Sequence, residues 1–493
     1  MVVFTLSIIY NYQHILFLSP QSLHQWRQCD CLSLTMNYYQ DNNNFFAPAV
    51  HHLGRDGTGK TVSDFPIIYF TVAQFWKLFG KQEFILRAVN LLLFFGGLIS
   101  LFRIIEITTK DSFIAISATA LLFTSPILVY YANNFLMDVP AFSLALTGLY
   151  FFTHFYYTKK NKYLVFFAIC FALAGLLKIS SMISFVAISI LFVLETGGIK
   201  LKTSGKIFTL PLKQSLVFTG VYLLLLAWYL YARSYNAKYN AGNFLLGILP
   251  IWDFNQIQIT EIFNAIIEHL KWAYFRRETQ LVFVGMLVFI LINHRKANKS
   301  LLFATVLIAL GFGCFIVLFF QALAHDYYVT NMLILVPFLL LTFMLLLKTS
   351  YQRIFYSLIF RIAFLLFLFH NVDFARRRIA ERYDPKGWQN ANYTKNVHVF
   401  EEITPYFRSI GIQKDDRVIS LSDNSINITL YLMNQKGWTN YGINTDSIQI
   451  REKMARGAKY LLIYDKEIYK NKSIEIFTRK KIGAFKGIDI YKL

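Results

Sequence analysis

Charged residues are scarce in this chain. Asp, Glu, Lys and Arg make up 16% of its 493 residues, whereas a soluble domain typically carries about 25%. The deficit argues against an ordinary soluble enzyme, and a hydrophobic content of 56% argues against disorder. With a mean hydropathy of +0.43, the composition predicts a polytopic α-helical membrane protein.

Acidic residues and cysteines are scarcer still. The chain has 28 acidic and 49 basic residues, for a net charge of +21. Such an excess can indicate a nucleic-acid partner, but the long uncharged apolar runs argue against one, because membrane proteins keep Lys and Arg in cytoplasmic loops. Four cysteines do not make a disulfide framework. Since no histidines cluster near Cys29 and Cys31, we expect no metal site, and nothing in the sequence requires a cofactor.

The charges that are present concentrate near the C-terminus. Residues 371–493 hold 36 of the chain's 77 charged residues. This shift predicts a membrane domain over 1–370 and a soluble α/β domain over 371–493. The second domain lacks a glycine-rich phosphate loop and a nucleophile elbow, so we expect a packing or acceptor-contact role for it. Its predicted elements are strands at 418–421, 460–463 and 485–491 and a helix at 445–457.

Apolar runs of roughly 20 residues predict the membrane spans. The first run begins at Met1 without a basic segment or a cleavage site, so we expect a retained span. The run at 164–194 is too long for one span and is interrupted at Lys178, which predicts a hairpin of two short arms and a total of eleven spans. The other predicted spans lie near 84–102, 112–130, 139–157, 214–231, 281–293, 301–320, 330–347 and 354–370.

Basic loops orient these spans. Successive spans cross the membrane in opposite directions, so alternate loops lie on the same side. Five loops on one side hold 14 Lys and Arg in 48 residues, and such basic loops face the cytoplasm. The external side then receives the loop at 19–83, the corners at 133–138 and 324–328, and the C-terminal domain. We therefore expect a multi-pass inner-membrane protein whose site and C-terminal domain lie outside the cytoplasm.

Three ionisable residues are candidates for chemistry. Asp30 follows the first span, and the alternative is a solvated loop acid paired with Arg27. Asp138 begins a span, where it either caps the helix or acts as a functional carboxylate. Lys178 lies within the membrane's depth, where an unpaired ammonium costs at least about 2.5 kcal/mol. Its anionic partner is expected to be either a lipid phosphate or an acidic side chain.

Other aspartates share the first loop with Asp30. Asp41 and Asp56 lie among Asn and Gly residues, which is typical of solvated turns. Asp64 immediately precedes Phe65-Pro66 and is expected to cap the following helix. Asp30 lies among Trp26, Arg27 and Cys29, where burial and a cation can tune its pKa.

These features together resemble the GT-C superfamily of polytopic glycosyltransferases, in the branch of the dolichyl-phosphate-mannose protein mannosyltransferases and lipid A aminoarabinose transferases. The resemblance covers most of residues 20–340. Its motifs are Trp26-Arg27-Gln28-x-Asp30, Asp64-Phe65-Pro66-Ile67-Ile68-Tyr69, Asn134-x-x-Met137-Asp138-x-Pro140, Leu177-Lys178 and His325-Asp326-Tyr327-Tyr328.

The resemblance implies an inverting glycosyltransferase with a polyprenyl-phosphate-linked sugar as donor. The acceptor would be a hydroxyl of a cell-envelope glycan, a lipid or a protein, at the external face. Asp30 would be the catalytic base, and Asp138 a second catalytic carboxylate. The donor phosphate would be bound by Lys178, Arg27 and His325. The substrate cavity would be lined by Trp26, Asp64, Asp326 and Tyr327.

The chain also departs from these families. Aminoarabinose transferases carry Lys-Pro-Pro where this chain has Phe65-Pro66, and protein O-mannosyltransferases follow the first-loop Asp with Glu, where this chain has Cys31. Because of these departures, the resemblance does not identify lipid A or a protein as the acceptor. The alternative function is a lipid or glycolipid transporter or flippase, for which the 164–194 hairpin is a hint. The long first loop and the C-terminal domain favour the transferase.

Overall fold

The computed structural model describes residues 2–201, 205–441 and 446–493, apart from the side chains of residues 269, 270 and 322. Most of the described residues are helical, and a five-stranded sheet lies near the C-terminus. Two compact units make up the chain. The helical unit comprises Met1–Leu16, Arg87–Tyr229 and Gly247–Ala380. The sheet unit comprises Phe17–Leu86, Leu230–Leu246 and Glu381–Leu493.

The α-helices carry numbers in chain order. They are α1 (Val2–Ile9), α2 (Tyr12–Ile15), α3 (Gln25–Gln40), α4 (Ile67–Phe79), α5 (Phe84–Thr109), α6 (Ser112–Leu122), α7 (Pro126–Ala132), α8 (Asp138–Thr158), α9 (Asn161–Leu177), α10 (Ile183–Thr196), α11 (Pro211–Lys238), α12 (Gln256–Ala265), α13 (Lys271–Tyr274), α14 (Arg277–Ile292), α15 (Lys299–Leu318), α16 (Leu335–Ser350), α17 (Gln352–Phe355), α18 (Leu358–Tyr383), α19 (Ile403–Ser409), α20 (Ile428–Leu432) and α21 (Ser447–Ala455).

Six helical segments within the described residues are long and apolar enough to cross a membrane. They are α5, Ile179–Thr196, α11, α15, Asp326–Ser350 and α18. Helices α6 and α7 add a seventh if this pair, bent by 78°, is one span. The predicted class of polytopic helical membrane protein is confirmed, whereas the predicted count of eleven spans is not.

The first apolar run differs from the single span predicted over 2–18. Its helix ends at Ile9, and Asn11 has a left-handed φ of 57°, a conformation that Asn adopts more readily than most residues. The buried hydroxyl of Tyr10 donates a hydrogen bond to Phe123 O at the α6–α7 bend at 3.1 Å, and that of Tyr12 donates to Val129 O in α7 at 2.5 Å. These bonds satisfy polar groups that would otherwise be buried without a partner.

The hairpin predicted over 164–194 is present. Helix α9 ends at Leu177, and Lys178 has extended backbone angles (φ −151°, ψ 115°) before the 3₁₀ turn Ile179–Met182. The ring of Phe167 on α9 stacks on that of Phe185 on α10, with centroids 5.2 Å apart. The two arms therefore fold back on each other with Lys178 at the tip, as the interrupted apolar run predicted.

The C-terminal sheet contains β1 (Arg417–Leu421), β2 (Gly437–Trp438), β3 (Ala458–Ile463), β4 (Lys481–Phe485) and β5 (Ile488–Lys492). Its order is β2-β1-β3-β5-β4, with β1 parallel to β2 and β3, and β5 antiparallel to β3 and β4. Consecutive side chains of β1 enter opposite cores: Val418 packs with α19 and α20, and Ile419 packs with α21. Both faces of the sheet are thus covered, which explains the uninterrupted apolar runs of β1 and β3.

Most of the elements predicted for this region are observed. Strands β1 and β3 and helix α21 match the predicted positions, although residue 445 of the predicted helix lies outside the described residues. The predicted strand at 485–491 was wrong in extent, because a tight turn interrupts it. Lys486 and Gly487 both have positive φ, 41° and 92°, the pattern of a two-residue hairpin turn, and this turn separates β4 from β5.

The first loop adds backbone to the edge of this sheet. Gly437 N donates to His51 O at 3.1 Å, and Leu53 N donates to Gly437 O at 2.8 Å. A Cβ at Gly437 would lie 1.9 Å from the carbonyl oxygen of Val418 on β1, so only glycine allows β2 to lie this close to β1. The first loop and the C-terminal residues therefore share one compact unit. The domain boundary between residues 370 and 371 stays a prediction.

Candidate functional site

Asp30 lies on a helix and is buried. Helix α3 has no glycine or proline, and 13 of its 16 residues are buried. Asp30 itself is 0% exposed. Spacing of three residues places Asp30 on the same helical face as Arg27, whose Nη1 lies 3.8 Å from Asp30 Oδ2. The solvated loop acid that was the alternative at this position is therefore excluded, although the pairing with Arg27 is present.

An asparagine from the C-terminal region holds one oxygen of Asp30. Asn427 Nδ2 donates to Asp30 Oδ1 at 2.8 Å. The amide is itself oriented because its Oδ1 accepts a hydrogen bond from the backbone N of His52 at 2.9 Å. Asp30 Oδ2 accepts no hydrogen bond from the described residues. One oxygen of the carboxylate is thus fixed by a hydrogen bond, and the other is buried with only the Arg27 cation beside it among the described residues.

The surroundings of Asp30 set its protonation. Burial raises the pKa of the Asp30 carboxyl to about 6, against the opposing effects of the Arg27 cation and the Asn427 hydrogen bond. The nearby carboxylate of Asp423 raises it further. A carboxyl group with a pKa just below neutrality is mostly ionised at pH 7 and still basic enough to accept a proton.

Asp64 does not have the helix-capping role predicted for it. The N-cap of α4 is Pro66, and no side-chain capping bond is present there. Asp64 Oδ2 instead lies 2.8 Å from Arg27 Nη2 and 3.5 Å from the hydroxyl of Tyr69. The Arg27 guanidinium therefore lies between two carboxylates, those of Asp64 and Asp30, because a buried cation needs anionic partners.

The other two aspartates of the first loop, Asp41 and Asp56, are exposed. Asp56 accepts a hydrogen bond from Thr58 N at 3.0 Å in an exposed turn, and the exposed Asp41 pairs with Lys436. Trp26 is partly exposed, and its indole donates to His24 Nδ1 at 3.4 Å. The solvated positions predicted for Asp41 and Asp56 are confirmed.

Asp138 and Lys178 form an ion pair in the helical unit. Asp138 is the first residue of α8 and is buried, and its Oδ2 lies 3.9 Å from Lys178 Nζ at the hairpin tip. This distance is electrostatic contact rather than a short hydrogen bond. An acidic side chain therefore lies close to Lys178, while binding of a lipid phosphate by this lysine stays a prediction.

The corner before Asp138 is held by two residues of α5 that the motifs did not include. Arg87 is fully buried, and its Nη1 donates to Asn133 O at 2.8 Å. Asn90 Nδ2 donates to Asn134 O at 2.9 Å. Because these side chains bind the backbone carbonyls of an irregular segment, they fix the point at which α8 begins.

The His325-Asp326-Tyr327 motif belongs to the same unit. It opens the 3₁₀ segment Asp326–Ile334, which packs against α7, α8 and Ile179–Met182. The hydroxyl of Tyr131 on α7 donates to Asp326 Oδ1 at 2.6 Å, and the His325 ring stacks on Tyr327 at 5.8 Å. The motif is therefore next to the elements that carry Asp138 and Lys178.

The predicted site residues thus fall into two groups. The sheet unit holds Trp26, Arg27, Asp30 and Asp64, and the helical unit holds Asp138, Lys178, His325, Asp326 and Tyr327. Within the part of the chain that the structure describes, no group of three or more His, Cys, Asp or Glu side chains is arranged to hold a metal ion. Sequence reasoning missed Asn427, since its position in a turn-like Ser-Asn-rich stretch gives no sign of its partner 397 residues away.

Comparisons with known proteins agree with this architecture. The family model described as dolichyl-phosphate-mannose-protein mannosyltransferase matches residues 63–222. No curated protein sequence matches the chain.

Solved structures resemble the whole chain. ArnT from Cupriavidus metallidurans bound to undecaprenyl phosphate superposes with a TM-score of 0.61 at 9% identity, over 100% of this chain and 97% of ArnT. The apo state of the same protein gives a TM-score of 0.63 at the same identity and coverage. The arabinofuranosyltransferase AftD from Mycobacteria gives 0.56 at 11% identity, over 100% of this chain and 39% of AftD. The resemblance that the motifs predicted is therefore confirmed, and this chain is a multi-span membrane protein with the fold of the GT-C superfamily of glycosyltransferases.

Proposed function

We propose that this protein is a glycosyltransferase that moves a sugar from a polyprenyl-phosphate-linked donor to a hydroxyl of a glycan, lipid or protein. The observation that carries the proposal is the buried Asp30 carboxylate, with Oδ1 fixed by Asn427 and Oδ2 free of hydrogen bonds from the described residues. The class of donor is supported by the ArnT structure of the same fold, which is bound to undecaprenyl phosphate.

Asp30 is the general base in this proposal. The acceptor hydroxyl has a high pKa, so it must lose its proton as its oxygen attacks the anomeric carbon. Asp30 Oδ2 takes that proton, the new carbon–oxygen bond forms, and the bond from the anomeric carbon to the phosphate oxygen breaks with its electron pair. A single displacement without a covalent intermediate inverts the anomeric carbon.

The departing phosphate needs cationic partners. We assign this role to Lys178, with His325 in the same unit, because preorganised cations stabilise the charge that develops on a leaving group. Asp138, 3.9 Å from Lys178 Nζ, holds the ammonium group in position. The ion pairs of Arg27 with Asp64 and Asp30 favour a role in orienting the base, and its binding of the phosphate stays a prediction.

The pH dependence of transfer tests this function. We expect kcat/KM with a polyprenyl-phosphate-linked sugar to be highest above pH 7 and to fall tenfold per pH unit below about pH 6. The reason is that protonation of Asp30, with its pKa raised to about 6, removes the base. The measurement is transfer of labelled sugar by the purified protein between pH 4.5 and 8.5, and a flat profile over this range would contradict the role of Asp30.

The orientation of the protein is testable separately. We propose that the protein lies in the inner membrane with Asp30 and the C-terminal residues on the side away from the cytoplasm, since the basic loops face the cytoplasm. A reporter that is active only outside the cytoplasm is expected to be active when fused after Leu493 and inactive when fused after Lys296, in a basic loop. The reverse pattern would overturn the orientation and the external site.

A further inference from the structure

A polar cavity of about 370 Å³ opens in the sheet unit. Its volume lies within the range of about 300–1,000 Å³ that is usual for small-molecule sites. Neither the proposed base nor the proposed phosphate-binding residues line the cavity, so the proposed mechanism leaves it unexplained. The lining residues that matter here are Phe17, Ser19, Lys81, Glu83, Phe84 and Glu401.

Two carboxylates in the lining are held in fixed positions. Glu401 accepts hydrogen bonds from the hydroxyl of Ser19 at 3.0 Å and from that of Tyr393 at 2.8 Å. Glu83 Oε1 accepts from the hydroxyl of Tyr431 at 2.6 Å and lies 3.1 Å from Lys81 Nζ. Because a carboxylate offers about four acceptor positions, both groups can accept further hydrogen bonds from a ligand without losing their present partners.

The charge of the lining selects the chemistry of the ligand. Two carboxylates face one ammonium group, that of Lys81, so phosphate and carboxylate ligands are repelled. Hydroxyl and amino groups are attracted, since they donate hydrogen bonds to carboxylates. The rings of Phe17 and Phe84, with centroids 5.3 Å apart, add an apolar wall. A sugar ring matches this lining, because it has hydroxyl groups at its edge and an apolar C–H face.

Helix α20 connects the cavity to the support of Asp30. Asn427, which binds Asp30, is the residue immediately before α20, and Tyr431, which binds Glu83, lies four residues later in the helix. Four residues correspond to about 6 Å along a helix axis. Helix α20 also packs on α3. The residue that holds Glu83 in the cavity wall is therefore about one helical turn from the residue that positions the base.

We propose that this cavity binds a sugar ring of the acceptor, one that is hydroxyl-rich and carries no acidic group. The role of the cavity in acceptor binding rests on the proposed glycosyltransferase function, whereas its binding of a sugar does not depend on it. The acceptor is accordingly a glycan or glycolipid that contains a neutral or amino-bearing sugar.

The experiment measures sugar binding to the full-length protein in detergent. The probes are the methyl glycosides of mannose, glucose, galactose and N-acetylglucosamine, with glucuronic acid as the anionic counterpart, and the readout is saturation-transfer NMR with titration. We expect at least one neutral glycoside to bind at least tenfold more tightly than glucuronic acid. The Glu83→Gln/Glu401→Gln protein is expected to bind that glycoside at least tenfold more weakly, while exposed Glu467→Gln and Glu475→Gln leave its binding unchanged.

Two further measurements separate this proposal from folding and from catalysis. Glu83→Gln alone, at a partly exposed position, is expected to weaken glycoside binding without lowering the thermal midpoint. This single variant tests the cavity assignment if the double variant is unstable. Asp30→Asn is expected to bind the glycoside normally, because Asp30 does not line the cavity. Equal affinity for glucuronic acid, or unchanged binding in both glutamine variants, overturns the cavity assignment. Failure of sugar transfer alone overturns only the proposed function.

Discussion

Asp30→Asn is expected to lower the rate of sugar transfer by two or more orders of magnitude while donor binding survives. The amide keeps the size of the carboxylate and can still accept the hydrogen bond from Asn427, but it cannot take the acceptor's proton. Positioned acid–base groups contribute about 10²–10⁴-fold to a rate. The measurement is single-turnover transfer from a polyprenyl-phosphate-linked sugar, with donor affinity measured separately.

Stability serves as the control for this variant. The pKa of Asp30 rises from 3.8 to about 6 in the folded protein, so the folded state binds this proton more tightly than the unfolded chain. Ionisation of this carboxyl group therefore makes the protein on the order of 3 kcal/mol less stable above pH 6 than below about pH 4. The Asp30→Asn variant has no group to ionise at this position, so it is expected to melt at no lower a temperature than wild type at pH 7.5. Near-normal transfer by Asp30→Asn, with Asp138→Asn inactive, would reverse the two roles.

Lys178→Met is expected to weaken binding of the lipid-linked donor by at least tenfold. The hairpin places this lysine at its tip beside the buried Asp138, and loss of the ammonium removes the cation proposed to bind the phosphate. The measurement is titration of the purified variant with a polyprenyl phosphate. Methionine retains an unbranched apolar chain, so packing around the tip is largely preserved.

A double variant distinguishes donor binding from a structural ion pair. Removing one partner of a buried pair typically destabilises a protein by about 3–5 kcal/mol, because the other charge is left alone. Lys178→Met is therefore expected to lower the thermal midpoint, and Lys178→Met/Asp138→Asn to recover much of it. Donor affinity is expected to stay low in the double variant. Recovery of both stability and affinity would show that Lys178 acts only through Asp138.

The membrane class, the helical hairpin at 164–194 and the strands β1 and β3 of the C-terminal sheet could be predicted because each depends on a local pattern. Apolar runs of about 20 residues indicate spans whatever their neighbours are, and the polar interruption at Lys178 is enough to indicate a turn. The buried strands β1 and β3 are short apolar runs bounded by polar residues. The hairpin turn at Lys486-Gly487 was missed, since Lys is not a typical residue for positive φ.

The sequence by itself determined which charged residues are candidates for the site, and the motifs predicted Asp30, Asp138 and Lys178. Only the tertiary structure decided their partners. Asn427 reaches Asp30 across 397 positions, and Asp64 pairs with Arg27 rather than capping α4. Burial and hydrogen bonding between distant segments have no local pattern in the sequence. The same long-range packing raises the pKa of Asp30, because desolvation depends on what surrounds a group in space.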